Sequence, residues 1–558
     1  MRVRHLIRTS LSTLTGPTPT ATHLLTTRAA SPIAQIVAMI VAIVVPILVF
    51  CIFIGWLLCW YGRHGRSREY HHRRSAVIPP DLGSDPETAS DSTQPIPLAA
   101  RSNSRLMRSR STGDYARNAG ARLARTSAAV NYDEFLEIMT PGPALIGGSL
   151  AGLMHGIMLH RHGYSVTILE QEPASIREGF DAGIRAGPDV VAFMDRYDRA
   201  KRPYGIYASG SQFINRAGTR GRKVLGPMTL SSWGLLMSIL RANFDGTTSK
   251  AVPRAPDRGE WLKGAVYRNG VCVKSVEDLG EKVKVYFKDA VSRILEFIEA
   301  DLVVVADGSN SQMRKQLIPD FPPRQYAGYT SWRGTVPEKS IEERYRQVFE
   351  GHVAFHLMNR SYILVYLIPT DDGNLEPGER LYNWVWYDQL PEASASETMT
   401  DIHGKLHYGT VPRGLVRPEI WRKQRERALQ VSKMPACIAT LIENTPSPFL
   451  TKIYDTASSK AVFFGEKLFL AGDALVAFRP HIALSTNQAA YHSELLEKVV
   501  EGKMTPKEWE RAVLRYGYSN RMFSVLVGTF GTGTRLALVW VLCRYILLLV
   551  RQKFGFLS

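Results

Sequence analysis

Residues 143–170 read PALIGGSLAGLMHGIMLHRHGYSVTILE. A short apolar run ends in a glycine-rich turn, a helical stretch follows, and a second run rich in β-formers, YSVTIL, stops at an acid. This is the order of a βαβ unit shaped to hold a dinucleotide. The turn Gly147-Gly148-Ser149-Leu150-Ala151-Gly152 is a G-x-S-x-x-G variant of G-x-G-x-x-G. Gly147 permits the tight turn, the small Ser149 lets backbone approach a pyrophosphate, and Gly152 lets the helix lie close to the strand. The helix N-terminus adds N–H groups and the positive end of its dipole. Glu170 follows Gly152 by 18 residues, where a carboxylate accepts hydrogen bonds from ribose hydroxyls. The plainer alternative is an ordinary glycine turn and strand-end acid of an α/β protein.

Outward from this unit, the chain is long and uneven. Its 558 residues exceed one ordinary core, so more than one domain is expected. The net charge is +18. Residues 1–130 hold 16 Arg and no Lys against 6 acids, which leaves +10 there. A basic, solvated tail explains this balance; no zinc spacing or RNA-binding motif argues for a nucleic-acid partner. The five cysteines, Cys51, Cys59, Cys272, Cys437 and Cys543, form neither a disulfide framework nor a metal cluster, which suits a body in a reducing compartment.

No charged residue lies between Arg28 and Arg63. Within that gap residues 36–61 are almost wholly apolar and end in Trp56, Trp60 and Tyr61, the pattern of a transmembrane helix with an interfacial aromatic belt. Residues 1–35 read as a basic tail or targeting segment, and residues 62–131, rich in Arg, Ser and Pro, as a disordered basic tether. At the far end, residues 536–550 (LALVWVLCRYILLLV) carry Arg544 at their centre. An arginine there is costly in lipid, so a membrane-associated or partly buried helix fits better than a second crossing.

Two further motifs lie far from the first. Residues 302–314, LVVVADGSNSQMR, take an apolar strand into Asp307-Gly308. Residues 468–491, LFLAGDALVAFRPHIALSTNQAAY, take another into Gly472-Asp473, followed by Pro480 and a helix from about Thr486. Each places an Asp just past a strand end, where ligand crevices form in α/β sheets.

In this order the three stretches resemble the single-component FAD-dependent monooxygenases of the p-hydroxybenzoate hydroxylase type. Tyr326–Pro337 (YAGYTSWRGTVP), Tyr382–Trp386 (YNWVW) and Arg479-Pro480-His481 resemble the 2,6-dihydroxypyridine hydroxylase branch. The resemblance implies that Gly147, Gly148, Ser149, Gly152 and Glu170 bind the ADP half of FAD, and that Asp307, Gly308, Asp473 and Pro480 serve the rest of the cofactor. It implies the same of Gly183, in a stretch similar to the family's G-A-G-I, and of Arg241, on the helix WGLLMSILRANFD. The segment after the proline, where members often have glycine, reads Ile482-Ala483-Leu484-Ser485 here, and Asp181 stands where G-A-G-I has its first glycine.

The implied fold is α/β, a three-layer Rossmann-like FAD domain with an inserted mixed-sheet substrate domain. Residues 132–325 would form the first part of the FAD domain with part of the substrate domain, 326–454 the substrate domain, and 455–530 the second part of the FAD domain. The implied activity is NAD(P)H- and O2-dependent hydroxylation or epoxidation of a small electron-rich substrate through a flavin hydroperoxide, with no metal. A flavin-binding protein without turnover and an FAD-dependent isoprenoid-chain reductase are the alternatives. His481 is a candidate proton relay, with a structural hydrogen bond as its plainer role. Tyr326, Tyr329, Trp332, Trp384 and Trp386 either line a flat pocket or pack a strand face, and Arg333 reads as a surface or sheet-edge charge. Anchored in membrane lipid, the body is expected to face the cytosol, or to belong to the mitochondrial inner membrane.

Overall fold

Short, mostly apolar runs of three or four residues build the central sheet. The computed structural model describes residues 142–174, 182–256, 264–431 and 434–554. The expected tail 1–35, transmembrane segment 36–61 and tether 62–131 lie outside the described residues, as does Asp181. The first elements are β1 (Ala144–Ile146), α1 (Leu150–Arg161), β2 (Val166–Leu169), β3 (Gly183–Ala186), α2 (Trp233–Asp245), β4 (Ala265–Arg268) and β5 (Val303–Val305). The strands of a second sheet follow as β6 (Gln325–Pro337), β7 (Val353–Met358), β8 (Ser361–Ile368), β9 (Leu381–Gln389) and β10 (Phe449–Ala457). The chain then returns through β11 (Leu468–Leu470), α3 (Ser485–Val500), α4 (Pro506–Thr532) and α5 (Arg535–Lys553).

The first sheet runs β11-β5-β1-β2-β4 with all neighbours parallel, closed at one edge by the antiparallel pair Val462–Phe463. Its strands are buried on both faces, which is why ALI and VVV show no alternation. Helix α1 is apolar nearly all round because it lies inside, against α2 and α3. On the other side an antiparallel meander, Val271–Asp278, Val283–Asp289 and Leu295–Ala300, sends Val283, Val285 and Phe287 into the same core. Helices, parallel sheet and meander make the three expected layers.

The second sheet has nine strands, with β10-β6-β9-β8-β7 at its centre. It is mixed: β7 pairs parallel with Ser211–Ile214, a segment from much earlier in the chain. Its two faces differ. Trp332, Val336, Ile363, Val365, Trp384 and Trp386 point into one apolar core with Ile438, Leu441 and Ile442 of the helix Ala436–Glu443. The indole N–H groups of Trp384 and Trp386 donate to Thr445 and Ser361, both at 2.8 Å. Trp384 and Trp386 therefore pack the domain, and Trp332 packs with them while also bordering a separate cleft with Thr330, Asp388 and Gln424. Strand alternation turns Tyr329, Ser331, Arg333, Tyr362, Tyr366, Asn383 and Tyr387 the other way, toward the nucleotide-binding body. Arg333 is not at a sheet edge, because β6 is paired on both sides.

Helices α4 and α5 form a hairpin after the last motif. A capping box, Thr505 with Glu508, starts α4. Among the described residues no helix is long and apolar enough to cross a membrane. In α5, Val541 and Leu542 are buried, while Leu536, Trp540, Leu547 and Val550 are exposed. Arg544 lies over the Trp540 ring at 4.5 Å, which lets an arginine sit in the middle of this apolar helix.

Candidate flavin and substrate site

The glycine turn leaves β1 with Gly147 at φ +100°, a conformation L-residues rarely adopt. A Cβ on Gly152 would overlap the Gly147 carbonyl, so α1 starts against the turn as expected. Ser149 stands at the N-cap of α1 in extended conformation and makes no capping bond. Glu170, at the end of β2, is buried and reaches back over the turn. Its carboxylate accepts from the Gly148 N–H at 2.7 Å and the Glu172 N–H at 2.9 Å.

Gly148, Ser149, Glu170 and Arg241 line one open cleft, with Met237 and Tyr267. Arg241 is held within it. Its guanidinium pairs with Asp245 at 2.7 Å, donates to Thr247 at 3.1 Å and lies over the Tyr267 ring at 3.6 Å. Tyr267, which the sequence reading did not single out, donates its hydroxyl to the Gly148 carbonyl at 2.8 Å. Nothing in its strand AVYR marks that role.

Asp307 and Asp473 stand past the ends of the neighbouring strands β5 and β11. One Asp307 oxygen accepts the N–H groups of Gln312 and Met313 at 2.9 and 3.2 Å. The other is buried without a partner, and so is Oδ1 of Asp473. Burial raises both carboxyls above the usual range, Asp473 to about 6. Two sequestered acceptors without donors are costly. The hydroxyls of a ribityl chain or ribose are donors of the right kind, and no side chain crowds Gly308, where a Cβ would meet nothing within 4 Å. The residues present thus fit FAD. Arg314, quoted in the motif but given no role there, is fully buried and ties the two Asp loops together. It donates to the Ala474 carbonyl at 2.5 Å and the Ser309 carbonyl at 2.8 Å.

Beyond Asp473 the chain turns through Pro480–Ile482 to α3. Arg479 donates to Asp455 at 2.7 Å, and Arg521 of α4 donates to the other oxygen of the same carboxylate at 2.6 Å. His481 lies between two tyrosines of the substrate sheet, with Nε2 2.6 Å from the Tyr329 hydroxyl and Nδ1 2.5 Å from that of Tyr362. Burial, with Arg479 and Arg333 nearby, pushes its pKa well below the ordinary value and keeps it neutral. A neutral imidazole donates from one nitrogen and accepts at the other, so one tyrosine donates and the other accepts. Of the expected pocket aromatics, Tyr329 alone faces this junction. Gly183 meets the same face of the sheet farther along, where its N–H donates to Asn383 at 3.3 Å and a Cβ would lie 2.5 Å from the Tyr366 hydroxyl. Arg185, two residues on, has a buried Nε without a partner; the sequence reading did not single it out.

This geometry has known counterparts. A model described as FAD binding domain-like matches residues 326–455. The 2,6-dihydroxypyridine 3-monooxygenase of Paenarthrobacter nicotinovorans is 25% identical over 384 residues, 67% of this chain and 88% of that protein. The 6-hydroxynicotinate 3-monooxygenase of Pseudomonas fluorescens is 23% identical over 373 residues, 65% of this chain and 83% of that protein. Among solved structures, 2,6-dihydroxypyridine-3-hydroxylase from Arthrobacter nicotinovorans superposes with a TM-score of 0.60 at 23% identity, covering 71% of this chain and 93% of that one.

Proposed function

We propose, for a chain whose relatives and structural neighbours are FAD-dependent monooxygenases and which shares their fold, oxidation of a small electron-rich aromatic or heteroaromatic ring with NAD(P)H and O2. One oxygen atom enters a ring C–H bond to give a hydroxyl, the other leaves as water, and NAD(P)H supplies the two electrons. Bound FAD supplies the hydride acceptance and oxygen activation that no protein side chain provides. The turn at Gly147, Gly148, Ser149 and Gly152 would hold the pyrophosphate, with Glu170 and Arg241 beside the ADP half. Asp307, Gly308 and Asp473 would receive the sugar and ribityl hydroxyls. Gly183 and the Pro480–Ala483 turn would border the ring system. His481 acts as a positioning residue, since tyrosine hydroxyls occupy both of its nitrogens.

The observation that carries this reading is the pair of unpartnered Asp oxygens beside a sheet face rich in tyrosine. An aromatic substrate is supported by that face and by the two relatives, whose names both denote hydroxylated pyridine rings. We place the body on the cytosolic side of a membrane, anchored through residues 36–61. The test is substrate-stimulated NAD(P)H oxidation with matching O2 uptake by the FAD-loaded protein. Bound FAD with negligible turnover across a panel of hydroxylated aromatics would favour a non-catalytic flavoprotein. NAD(P)H-dependent reduction of an isoprenoid chain without O2 uptake would favour a reductase.

A further inference from the structure

Two histidines with no part in the flavin reading so far are buried beneath the cofactor loops. His155 lies on α1 and His492 on α3, and both are fully enclosed. Each reaches a loop already described. His155 Nδ1 is 2.7 Å from the Ala151 carbonyl in the glycine turn. His492 Nδ1 accepts the Gly472 N–H at 3.1 Å, just before Asp473. The two loops touch here, since a Cβ on Gly472 would lie 2.9 Å from the Ala151 Cβ. A backbone N–H only donates, so the neutral His492 ring carries its proton on Nε2. Burial lowers the pKa of both histidines, that of His155 to about 4 and that of His492 well below the ordinary value. Neutrality is what the Gly472 bond requires, because a protonated imidazole has no acceptor nitrogen.

The Nε2 of His492 is buried without a partner. An imidazole with one nitrogen unsatisfied is costly to bury, and an aliphatic side chain would fill the same space without that cost. What the histidine supplies in return is the acceptor for Gly472. The helix grips the rest of this segment too. Gln488, one turn before His492, donates to the Val476 carbonyl at 2.8 Å, and Ser485 hydrogen-bonds to Asp473. His492 is itself fixed from behind, where its carbonyl accepts from the Trp509 indole of α4 at 3.3 Å. Gly472 is held at φ +57°, and Asp473 leaves it with one oxygen buried and unpartnered.

Resting on the reading of this loop as a receptor for the flavin chain, we infer that His492 is a positioning residue for FAD. It touches no part of the cofactor. It holds Gly472 in place so that the unpartnered Asp473 oxygen is presented to the ribityl hydroxyls.

The test uses the full-length protein, freed of flavin and titrated with FAD through the change in flavin fluorescence. Asparagine can place an amide oxygen about where Nδ1 stands, whereas glutamine carries its oxygen one bond farther out and leucine has none. His492→Leu and His492→Gln should bind FAD about five- to hundredfold more weakly, the range for a buried donor left without its acceptor, while His492→Asn should stay within about threefold of wild type. A general loss of packing would weaken His492→Asn and His492→Gln alike. In an Asp473→Ala background His492→Gln should cost no more than about twofold further, because the carboxylate it would misplace is gone; independent effects would add in full. Equal affinities of His492→Asn and His492→Gln, or fully additive losses with Asp473→Ala, would overturn the positioning role. Neither comparison depends on His492→Leu folding. If the wild type itself takes up no FAD, the broader reading falls; if it binds FAD and the variants show no such contrast, only the role of His492 falls.

Discussion

Asp473 shows how one side chain couples cofactor and pH. Its carboxyl is raised to about 6, chiefly because burial disfavours the charged form; Ser485 and the Arg314 charge oppose this only in part. An unfolded Asp titrates near 3.9, so the native state holds the proton more tightly. The resulting stability is fully present below about pH 4 and is lost as pH rises through about 6, a loss on the order of 2–3 kcal/mol. The FAD-free protein should therefore melt at a higher temperature at pH 5 than at pH 7.5, and Asp473→Asn should flatten that difference. Hydroxyl donors on bound FAD favour the ionised carboxylate instead, so FAD affinity should rise from pH 5 to pH 8. Asp473→Ala should weaken FAD binding about ten- to hundredfold, the cost of one charge-assisted hydrogen bond. An affinity indifferent to both pH and Asp473→Ala would show that the carboxylate does not meet the cofactor. Ten residues on, Ala483 is held at φ 48°, ψ 47°, in the left-handed region that favours glycine. Ala483→Gly should relieve the steric cost and raise stability by about 0.5–1 kcal/mol, read as a higher melting temperature.

At the scale of elements, α4 is fitted to the site by glycines. A Cβ on Gly528 would lie 2.5 Å from the His481 ring, and one on Gly531 would overlap the Tyr362 ring. The two rings are the partners that hold the flavin loop against the sheet. Gly528→Ala and Gly531→Ala should each cost about 1–3 kcal/mol through overpacking and lower the FAD occupancy of the purified protein. Gly409→Ala, where a Cβ meets nothing within 4 Å, should do neither. The glycine turn and the two strand-end aspartates were legible in the sequence because their chemistry is local: a tight turn, a strand end, an acid at fixed spacing. The alternation of Tyr382–Trp386 was legible too, but not which face met the nucleotide-binding body. That depends on the helix Ala436–Glu443 covering the tryptophan side, a contact about 50 residues away in sequence. Arg333 was misread as a surface charge for the same reason, since a lone arginine in a strand carries no local sign of its neighbours. The Tyr329–His481–Tyr362 chain joins residues from three distant segments and was equally out of reach.

For the whole molecule, the proposed anchor and the catalytic body make separable predictions. The uncharged gap between Arg28 and Arg63 should make the full chain resistant to carbonate extraction. The proposed anchor ends at Tyr61, and the first strand of the body begins at Ala144. A protein beginning at Tyr132 should therefore keep its FAD and its turnover while losing most of its membrane attachment. What remains should come from α5, where Leu536, Trp540, Leu547 and Val550 are exposed beside Arg535, Arg551 and Lys553. Ending that protein at Gly533 should abolish its residual binding to anionic phospholipid vesicles, and high salt should weaken the binding of the longer form. The proposed orientation rests on chemistry: NAD(P)H is a cytosolic and matrix reductant, and the cysteines show no disulfide spacing. In sealed microsomes added protease should then digest the body. Protection of the body together with N-glycans on it would put it in the lumen and overturn the cytosolic placement, while leaving the flavin site as it stands.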